Sequence, residues 1–437
     1  MDVNNAFLYG DLDEEIYMRL PPGHPSSSLN KVCRLQKSIY GLKQALRQGN
    51  PKLSSSLIEF GFVQSKADYT LYTKTTTTSF IALLVYVDDI ILMSSDPQST
   101  FVVIGFLETK FKIKDLGSLK YFLGIEVGCT KGGIQLCQRK YALDILSKIG
   151  LLVAKPSNLP MEPNVKFSKD EGELFKDPAL YRRLIGKLPY LTNTWQDLSQ
   201  SLHLLNQFKE APRDPHFNAV LKVIRYVKGT PGQGLFFPAN SKMELVAYSD
   251  ASWANCPEMR RSTTGFCVFI GISLVSWKYK KQTTVSRSSA ELEYRVMASV
   301  FCELTWIRYF LADLKVLILN LATLYCDNLA AIHIAANLVF HKRTKHIELD
   351  CHLIRDKITE GQVVTTHVFS HSQLADLFTK PLHSPAFTRH LSKMGVTNIY
   401  SPSCGGMLRL PEKNSPLPLD TDSPQQDAYC IDICRDE

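Results

Sequence analysis

The stretch that decides the fold is Phe80-Ile-Ala-Leu-Leu-Val-Tyr-Val-Asp88-Asp89-Ile-Ile-Leu-Met93, two apolar runs separated by two adjacent aspartates. Each run is long enough for a buried strand, whereas aspartate is depleted in strands because an unpaired buried carboxylate is costly. Two adjacent carboxylates also repel each other unless a cation lies close by. The pattern therefore predicts a β-hairpin. It leaves two interpretations of Asp88 and Asp89: an ordinary acidic turn, or carboxylates presented to divalent metal ions.

Length and composition narrow the possible classes of protein. A chain of 437 residues is too long for one ordinary core and predicts two or three domains. The formal charge of +8 is compatible with a polyanionic partner. The 11 cysteines lack the paired short spacings of a zinc site, so we expect reduced thiols and no disulfide framework. The apolar stretches are too short to cross a bilayer, and we expect a soluble, intracellular protein without a membrane partner.

Two short strings resemble the reverse transcriptases of copia-type long-terminal-repeat retrotransposons. Tyr86-Val87-Asp88-Asp89 resembles their catalytic hairpin, and Met1-Asp2-Val-Asn-Asn-Ala6-Phe7 resembles their first carboxylate motif. By itself Asp2 would be read as a solvated terminal residue. The resemblance implies that Asp2, Asp88 and Asp89 hold two Mg²⁺ (or Mn²⁺) ions. It also implies contacts to the incoming deoxynucleotide triphosphate from Phe7, Tyr86 and Gln44.

A basic and apolar segment follows over residues 31–52, which alone would be read as a solvated amphipathic face. The resemblance instead places Lys43 and Arg47 against nucleic acid. The family usually has Gln-Ala-Pro-Arg-Gln-Trp where this chain has Gln44-Ala45-Leu46-Arg47-Gln48-Gly49. Loss of the proline and the tryptophan removes a rigid turn and a packing anchor, and Gly49 adds flexibility.

Residues 153–180 are rich in Pro, Ser, Asn and charge, which is typical of a linker. Beyond them, a helix pattern carries basic residues at every third position: Lys222, Arg225 and Lys228. A solvated face is one interpretation of this stripe. By family resemblance, it would contact the phosphates of bound nucleic acid.

The same region departs from the family pattern at two places. Pro189 lies inside an apparent helix, where an interior proline costs roughly 3 kcal/mol or more. Trp195-Gln196-Asp197 stands where the family has Arg-Pro-Asp. We therefore expect residues 181–197 to be damaged relative to the family.

From about residue 243 the pattern restarts with a second set of acids. Asp250 and Asp327 lie at the ends of apolar strand patterns, and Glu293 and Asp376 lie in early turns of predicted helices. In order and setting these acids resemble the Asp-Glu-Asp-Asp constellation of ribonuclease H domains. The resemblance implies that the four carboxylates hold two magnesium ions, which activate water and stabilise the leaving 3′-oxygen of a cleaved RNA phosphate. The predicted strands are residues 245–250, 265–271, 274–278, 323–328 and 363–369.

The glutamate of this set has two candidates. Ser288 and Glu291 fit a helix-capping box, which would occupy Glu291 and leave Glu293 free to face the sheet, so we prefer Glu293. His371 is a candidate for a histidine that assists product release in this class. A basic run near 340–346 is interpreted as a contact to the hybrid backbone through Lys342, Arg343 and Lys345.

Together the motifs imply a fold class of an α+β polymerase palm (truncated, fingers incomplete) with thumb or connection helices, followed by an α/β ribonuclease H-like domain. The expected bounds are 1–152 for the palm, 153–242 for the linker and thumb or connection helices, 243–390 for the ribonuclease H-like domain and 391–437 for a disordered tail.

The implied function is RNA-directed DNA synthesis and cleavage of RNA in RNA–DNA hybrids. The expected partners are an RNA template, a DNA primer, the hybrid and deoxynucleotide triphosphates, in a cytoplasmic particle or the nucleus by family resemblance. Because the chain starts at the first motif, we expect Asp2 to lie on an unsupported strand and the polymerase half to be impaired. The ribonuclease H half is the better candidate for activity. The alternative is a catalytically inactive nucleic-acid-binding remnant.

Overall fold

The structure is a computed structural model that describes residues 1–4, 11–24, 31–39, 42, 45–163, 165, 167–252, 261–282, 285–286, 288–336 and 348–398. The chain forms two compact units. The first comprises Met1–Leu119 with Trp306–Leu317, and the second comprises Lys120–Thr305 with the described residues from Ile318 onward. Within the described ranges, none of the helices has the length and apolar character needed to cross a membrane.

The first unit is built on a six-stranded sheet with the order β4-β5-β6-β7-β1-β8, beside a separate pair, β2 and β3. Helices α1 and α2 bury Leu57 and Leu107 against strand residues such as Leu83. Helix α2 begins where Asp96 accepts hydrogen bonds from the backbone amides of Gln98 and Ser99. The elements are β1 (Asp2–Val3), β2 (Asp11–Arg19), β3 (Val32–Lys37), α1 (Ala45–Glu59), β4 (Val63–Gln64), β5 (Leu71–Thr75), β6 (Phe80–Tyr86), β7 (Asp89–Ser94), α2 (Pro97–Lys110) and β8 (Ile113–Lys114).

The predicted hairpin is confirmed: β6 and β7 pair from Ile81 opposite Ser94 to Tyr86 opposite Asp89. The strand that carries Asp2 is not unsupported, and that expectation was wrong. Strand β1 lies between β7 and β8 and pairs with both. A backbone hydrogen bond from the Val3 amide to the Asp88 carbonyl, 2.8 Å long, also holds β1 in place. Asp2 is thus fixed in the interior of the sheet.

The second unit holds two further sheets, with the orders β18-β12-β11-β10-β9 and β15-β14-β13-β16-β17. In the latter sheet, β13 pairs antiparallel to β14 and parallel to β16. The elements are β9 (Tyr121–Phe122), β10 (Ile125–Thr130), β11 (Gly133–Cys137), α3 (Arg139–Lys148), α4 (Pro178–Lys187), α5 (Ser199–Asn206), α6 (Asp214–Gly229), β12 (Gln233–Pro238), β13 (Leu245–Ser252), β14 (Thr263–Ile270), β15 (Ser273–Lys281), α7 (Ser289–Asp313), β16 (Ala322–Cys326), α8 (Leu329–Ala336), α9 (Glu348–Thr359), β17 (Val363–His367), α10 (Asp376–Thr379), α11 (Ser384–Lys393) and β18 (Val396–Asn398). The last residues of α7, from Trp306, are counted with the first unit.

One continuous core joins the helices α3 to α6 to the sheet that carries Asp250. Buried residues from α4, α5 and α6 share this core with Cys267 and Phe269 of β14 and with Phe378 of α10. The five strands predicted from the alternation after residue 243 are confirmed as β13 to β17. The predicted bounds of the palm, the linker and the ribonuclease H-like domain stay predictions. The division into compact units does not show which family each segment belongs to.

The expected damage near Pro189 and Trp195 is not present. Helix α4 ends at Lys187, and Pro189 lies in the first turn of a 3₁₀ helix (Leu188–Asn193), where no intrahelical amide is needed. The Trp195 ring is fully buried and fills the shared core. Pro189 and Trp195 are therefore both accommodated in a well-packed structure.

Two further segments discussed from the sequence have a described backbone. The segment through Gly49 is helical: α1 begins at Ala45 and runs through Gly49 and Pro51. A glycine costs about 1 kcal/mol in a helix, and burial of Leu57 offsets that cost. The described structure continues past the predicted start of the tail at 391, because β18 pairs with β12.

Asp197 generates a prediction about pH. Its carboxylate is buried and accepts hydrogen bonds from the Tyr226 hydroxyl and from Gln233 Nε2, the latter over 3.0 Å. Burial raises the pKa of Asp197 to about 6, although both hydrogen bonds oppose the rise. The folded state therefore binds more protons than the unfolded state between about pH 4 and pH 6, and the free energy of unfolding falls by roughly 3 kcal/mol as the pH rises through that window.

We expect Asp197→Asn to remove this fall, which urea unfolding between pH 4 and pH 7 would measure as a change in the slope of stability against pH. Asp144→Asn, which changes an exposed aspartate on α3, is the matched control and should run parallel to wild type. Parallel curves for Asp197→Asn and wild type would contradict the prediction.

Candidate active sites

The first candidate site lies where β1 meets the β6–β7 hairpin. Asp2 is opposite Asp89 in the register of the two strands, and Asp88 occupies the two-residue turn together with Val87. All three aspartates are partly exposed. Partial burial, followed by the charges of Asp88 and Asp2, raises the pKa of Asp89. The structure therefore brings the three predicted carboxylates together, and the charges of Asp2 and Asp88 act on Asp89.

The turn of this hairpin has a backbone conformation that a β-branched residue rarely adopts. Val87 has a φ of 57°, in the left-handed region. An L-residue with a Cβ pays on the order of 1–2 kcal/mol there. The paired strands on either side hold the turn, and the strained position sits next to the acids, as is common at functional sites.

The other residues predicted for the first site are placed only in part. Tyr86 is the last residue of β6, and 51% of it is exposed. Arg47 lies on the helical backbone of α1. The predicted contacts Phe7, Lys43 and Gln44 lie outside the described residues.

The second candidate site lies at the end of the mixed sheet of the second unit, where four elements each deliver one carboxylate. Asp250 is on β13, Glu293 is in the second turn of α7, Asp327 follows β16, and Asp376 opens α10. Asp250, Glu293 and Asp376 are buried, and Asp327 is half-buried. The structure thus brings together all four acids that the sequence pattern singled out.

The two candidate glutamates of α7 have different surroundings. Glu293 Oε1 accepts a hydrogen bond from the Ala251 amide over 3.0 Å, which ties α7 to the strand end beside Asp250. Glu291 Oε1 instead pairs with Arg295 over 3.0 Å. The amide of Glu291 donates to Ser288 Oγ, as expected for a helix cap. Glu293 is therefore the glutamate that lies with the other acids, while its role as a metal ligand stays a prediction.

Three partners of the acids were missed from the sequence. The Thr379 hydroxyl donates to Asp250 Oδ2, and Ser370 Oγ donates to Asp327 Oδ2 over 3.0 Å. Lys380 Nζ lies 2.7 Å from Asp376 Oδ1 and 3.5 Å from Asp250 Oδ1. The spacing of four between Asp376 and Lys380 is typical of a helical ion pair and was an available signal. The two hydroxyls left no comparable signal, because their roles depend on tertiary packing.

Burial and mutual repulsion govern the electrostatics of the second site. Burial raises the pKa of Glu293 well above its ordinary value, and the charges of Asp250 and Asp327 add to the rise. Burial, followed by the charge of Asp250, raises the pKa of Asp376 to about 7, against the opposing effect of Lys380. Burial also raises the pKa of Asp250, which Lys380 and Thr379 oppose. Such a set of acids favours a bound cation.

The donor set fits a hard divalent cation. One ligand atom each from Glu293, Cys326 and Asp327 can lie within 4.8 Å of one another. The Cys326 sulfur is the one soft donor of this group, and burial raises the pKa of its thiol to about 12. The remaining donors are carboxylate oxygens, the ligands that Mg²⁺ and Mn²⁺ take. Glu293 and Asp327 are the carboxylates of this group, and it stays a prediction that they would hold such an ion together with Asp250 and Asp376.

The predicted basic stripe of α6 makes contacts within the chain. Lys222 pairs with Glu162, and Lys228 Nζ donates to the Ala154 carbonyl. Arg225 is exposed. Contact of this stripe with nucleic acid stays a prediction, and Arg225 is the member that faces solvent. The other predicted contacts, Lys342, Arg343 and Lys345, lie outside the described residues.

The chain is similar to known proteins along most of its length. The family model described as reverse transcriptase (RNA-dependent DNA polymerase) matches residues 1–163. The retrovirus-related Pol polyprotein from transposon RE2 of Arabidopsis thaliana is 43% identical over 411 residues, which cover 94% of this chain and 28% of that polyprotein. An uncharacterized mitochondrial protein of Arabidopsis thaliana is 42% identical over 224 residues, 51% of this chain and 93% of that protein.

A solved structure of the foamy viral protease-reverse transcriptase in complex with dsDNA covers 84% of this chain and 70% of its own, with a TM-score of 0.38 and 11% identity. That score is too low for any argument about fold.

The sequence similarity defines the class of protein. The chain belongs to the copia-type retrotransposon reverse transcriptases, as the motifs at Asp2 and Asp88 indicated. It spans less than a third of the length of the Pol polyproteins that it matches.

Gly265 yields a prediction about how the second site is held. Gly265 lies opposite Asp250 on β14, and α10 packs directly on it. A Cβ at this position would lie 2.5 Å from Thr379 Cγ2 and 3.0 Å from Phe378 Cβ. We expect Gly265→Ala to push α10 away from the sheet and to lower the free energy of unfolding by about 1–3 kcal/mol.

The control is Gly186→Ala in the last turn of α4, where a Cβ would meet no heavy atom within 4 Å. This change should be neutral or stabilising by up to about 1 kcal/mol, because alanine favours a helix. Urea unfolding of the three proteins measures both effects. Equal stability of Gly265→Ala and wild type would show that α10 does not depend on the close approach.

Proposed function

We propose that this chain cleaves RNA in RNA–DNA hybrids at the four-carboxylate site of its second unit. The observation that carries the proposal is the convergence of Asp250, Glu293, Asp327 and Asp376, from four separate elements, at one end of a mixed sheet. The strand order β15-β14-β13-β16-β17, with an antiparallel meander leading into parallel strands, supports a ribonuclease H-like α/β domain.

The residues around the acids keep the site in one arrangement. The Ala251 amide orients Glu293, Ser370 orients Asp327, and Thr379 orients Asp250. The Ala251 donor is a backbone amide and the Thr379 hydroxyl is buried, so Glu293 and Asp250 are held in fixed orientations before any cation binds. Divalent ions bound here would activate a water molecule and stabilise the leaving 3′-oxygen of the scissile phosphate.

A second proposed activity is RNA-directed DNA synthesis at the first site. Asp2 and Asp89 face each other on adjacent strands, with Asp88 in the turn, which supports a polymerase palm with a shared metal site. Tyr86, exposed at the end of β6, is proposed to contact the incoming nucleotide. The α3 to α6 helices are proposed to serve as thumb or connection helices along the nucleic acid.

We expect the full chain to cleave the RNA strand of a hybrid in a Mg²⁺-dependent reaction, and Asp327→Asn to reduce the rate at least about 100-fold, because loss of a ligand charge weakens both ion binding and transition-state stabilisation. Gel analysis of an end-labelled hybrid measures the rate. Asp144→Asn, which changes an exposed residue of α3, is the matched control and should keep the wild-type rate.

If a cooperatively folded chain cut no hybrid and still bound it in a salt-sensitive manner, the inactive binding remnant would be the correct reading.

The two sites are expected to act separately. Asp88→Asn should abolish any primer extension by the full chain on an RNA template while leaving hybrid cleavage within about twofold of wild type. Asp327→Asn should show the reverse pattern, because each change removes charge from only one of two sites in different units. Primer extension and hybrid cleavage are measured on the same preparations. Loss of both activities in either variant would refute separate sites.

A further inference from the structure

Lys380 lies inside the carboxylate set of the second unit. Its Nζ bridges Asp376 Oδ1 at 2.7 Å and Asp250 Oδ1 at 3.5 Å, so one cation joins a carboxylate from a helix to a carboxylate from a strand. We propose that Lys380 is a resident counter-ion that occupies the position between Asp250 and Asp376 and has to withdraw before these carboxylates take a divalent ion. This inference rests on the metal-binding part of the proposed function.

The oxygens of Asp250 show why the lysine and an ion compete. Asp250 Oδ1 faces Lys380, and Oδ2 accepts the hydrogen bond of the Thr379 hydroxyl. Both oxygens of this buried carboxylate are therefore engaged by α10 and the residue that follows it. Each carboxylate oxygen can accept more than one partner, so a divalent ion would compete with the Lys380 ammonium for the negatively charged space between Asp250 and Asp376.

Lys380 is the partner that can leave. Thr379 is fully buried, and its hydroxyl has no route to water without movement of α10. The Lys380 side chain is 42% exposed, against 3% for Asp250 and 11% for Asp376. A lysine stem has four flexible carbons, so the ammonium can swing to solvent while the backbone stays in place. The exchange therefore requires no unfolding.

Competition between Lys380 and a divalent ion predicts the direction in which a substitution at Lys380 changes the affinity for the ion. A cation that must be displaced weakens the apparent affinity of the site for a divalent ion, so removal of the charge should tighten binding. We expect Lys380→Gln to bind Mn²⁺ roughly tenfold more tightly than wild type, a change of about 1.4 kcal/mol in binding free energy. Lys380→Arg keeps the charge and should bind within about threefold of wild type.

Isothermal titration of the full chain with Mn²⁺ alone, at pH 8, measures these affinities. Asp250→Asn identifies the part of the isotherm that belongs to this site, since Asp2, Asp88 and Asp89 can also take up ions. Lys148→Gln removes an exposed charge on α3 and is the matched control, with an expected affinity equal to wild type. Thermal unfolding gives a second readout: without Mn²⁺ the melting temperature of Lys380→Gln should be lower than that of wild type, and Mn²⁺ should raise it by more.

An affinity for Mn²⁺ in Lys380→Gln that equals or falls below that of wild type would overturn the proposal. The counter-ion role of Lys380 and the proposed nuclease activity can fail independently of each other. Equal affinities in a chain that cleaves hybrids would refute the counter-ion alone. The expected order of affinities in a chain that cleaves nothing would support the counter-ion and refute the nuclease. Absence of Mn²⁺ binding in every protein would overturn both.

Discussion

The second unit depends on one constraint: four carboxylates lie close together with little access to water. Three carboxylates at the end of its mixed sheet are buried, and a fourth is half-buried beside them. Buried carboxylates are costly unless each is hydrogen-bonded or paired. The partners come from separate places in the chain: the amide of Ala251, the hydroxyls of Ser370 and Thr379, and the ammonium of Lys380. None of the elements that supply them can shift without leaving a charge unpaired.

The sheet and its two covering layers explain how such a site is held. Ser276 on β15 donates to Glu303 of α7 over 2.7 Å, which places α7 along one face of the sheet. Asp250 and its neighbour Gly265 point to the opposite face, because successive side chains alternate along a strand. There α10 lies so close to β14 that Gly265 has no room for a side chain. The site thus draws on both faces of the sheet, at the ends of the neighbouring strands β13 and β16.

Sequence reasoning located the elements and the acids but not the groups that neutralise them. Strand and helix patterns depend on neighbouring residues, so β13 to β17 could be predicted, and the resemblance to ribonuclease H domains singled out the four acids. Thr379 contacts Asp250 only because a four-residue helix packs on Gly265, and nothing local encodes that approach. The expectation of damage at Pro189 and Trp195 failed for a related reason. Comparison with a family string shows what a substitution removes, whereas packing decides what the new residue contributes, and Trp195 fills the core.

The two acidic sites differ in what maintains them. At the first site, Asp2 and Asp89 are set opposite each other by the backbone ladder between β1 and β7, and the side chains remain partly in water. Its geometry survives as long as three strands stay paired. At the second site, side-chain partners hold the acids, and a lysine already supplies part of the positive charge that the acids require. Small structural metal sites often fold only with the metal, because nothing else offsets their ligands. If Lys380 has the proposed counter-ion role, this site folds before a divalent ion binds, and binding of the ion would then be separate from folding.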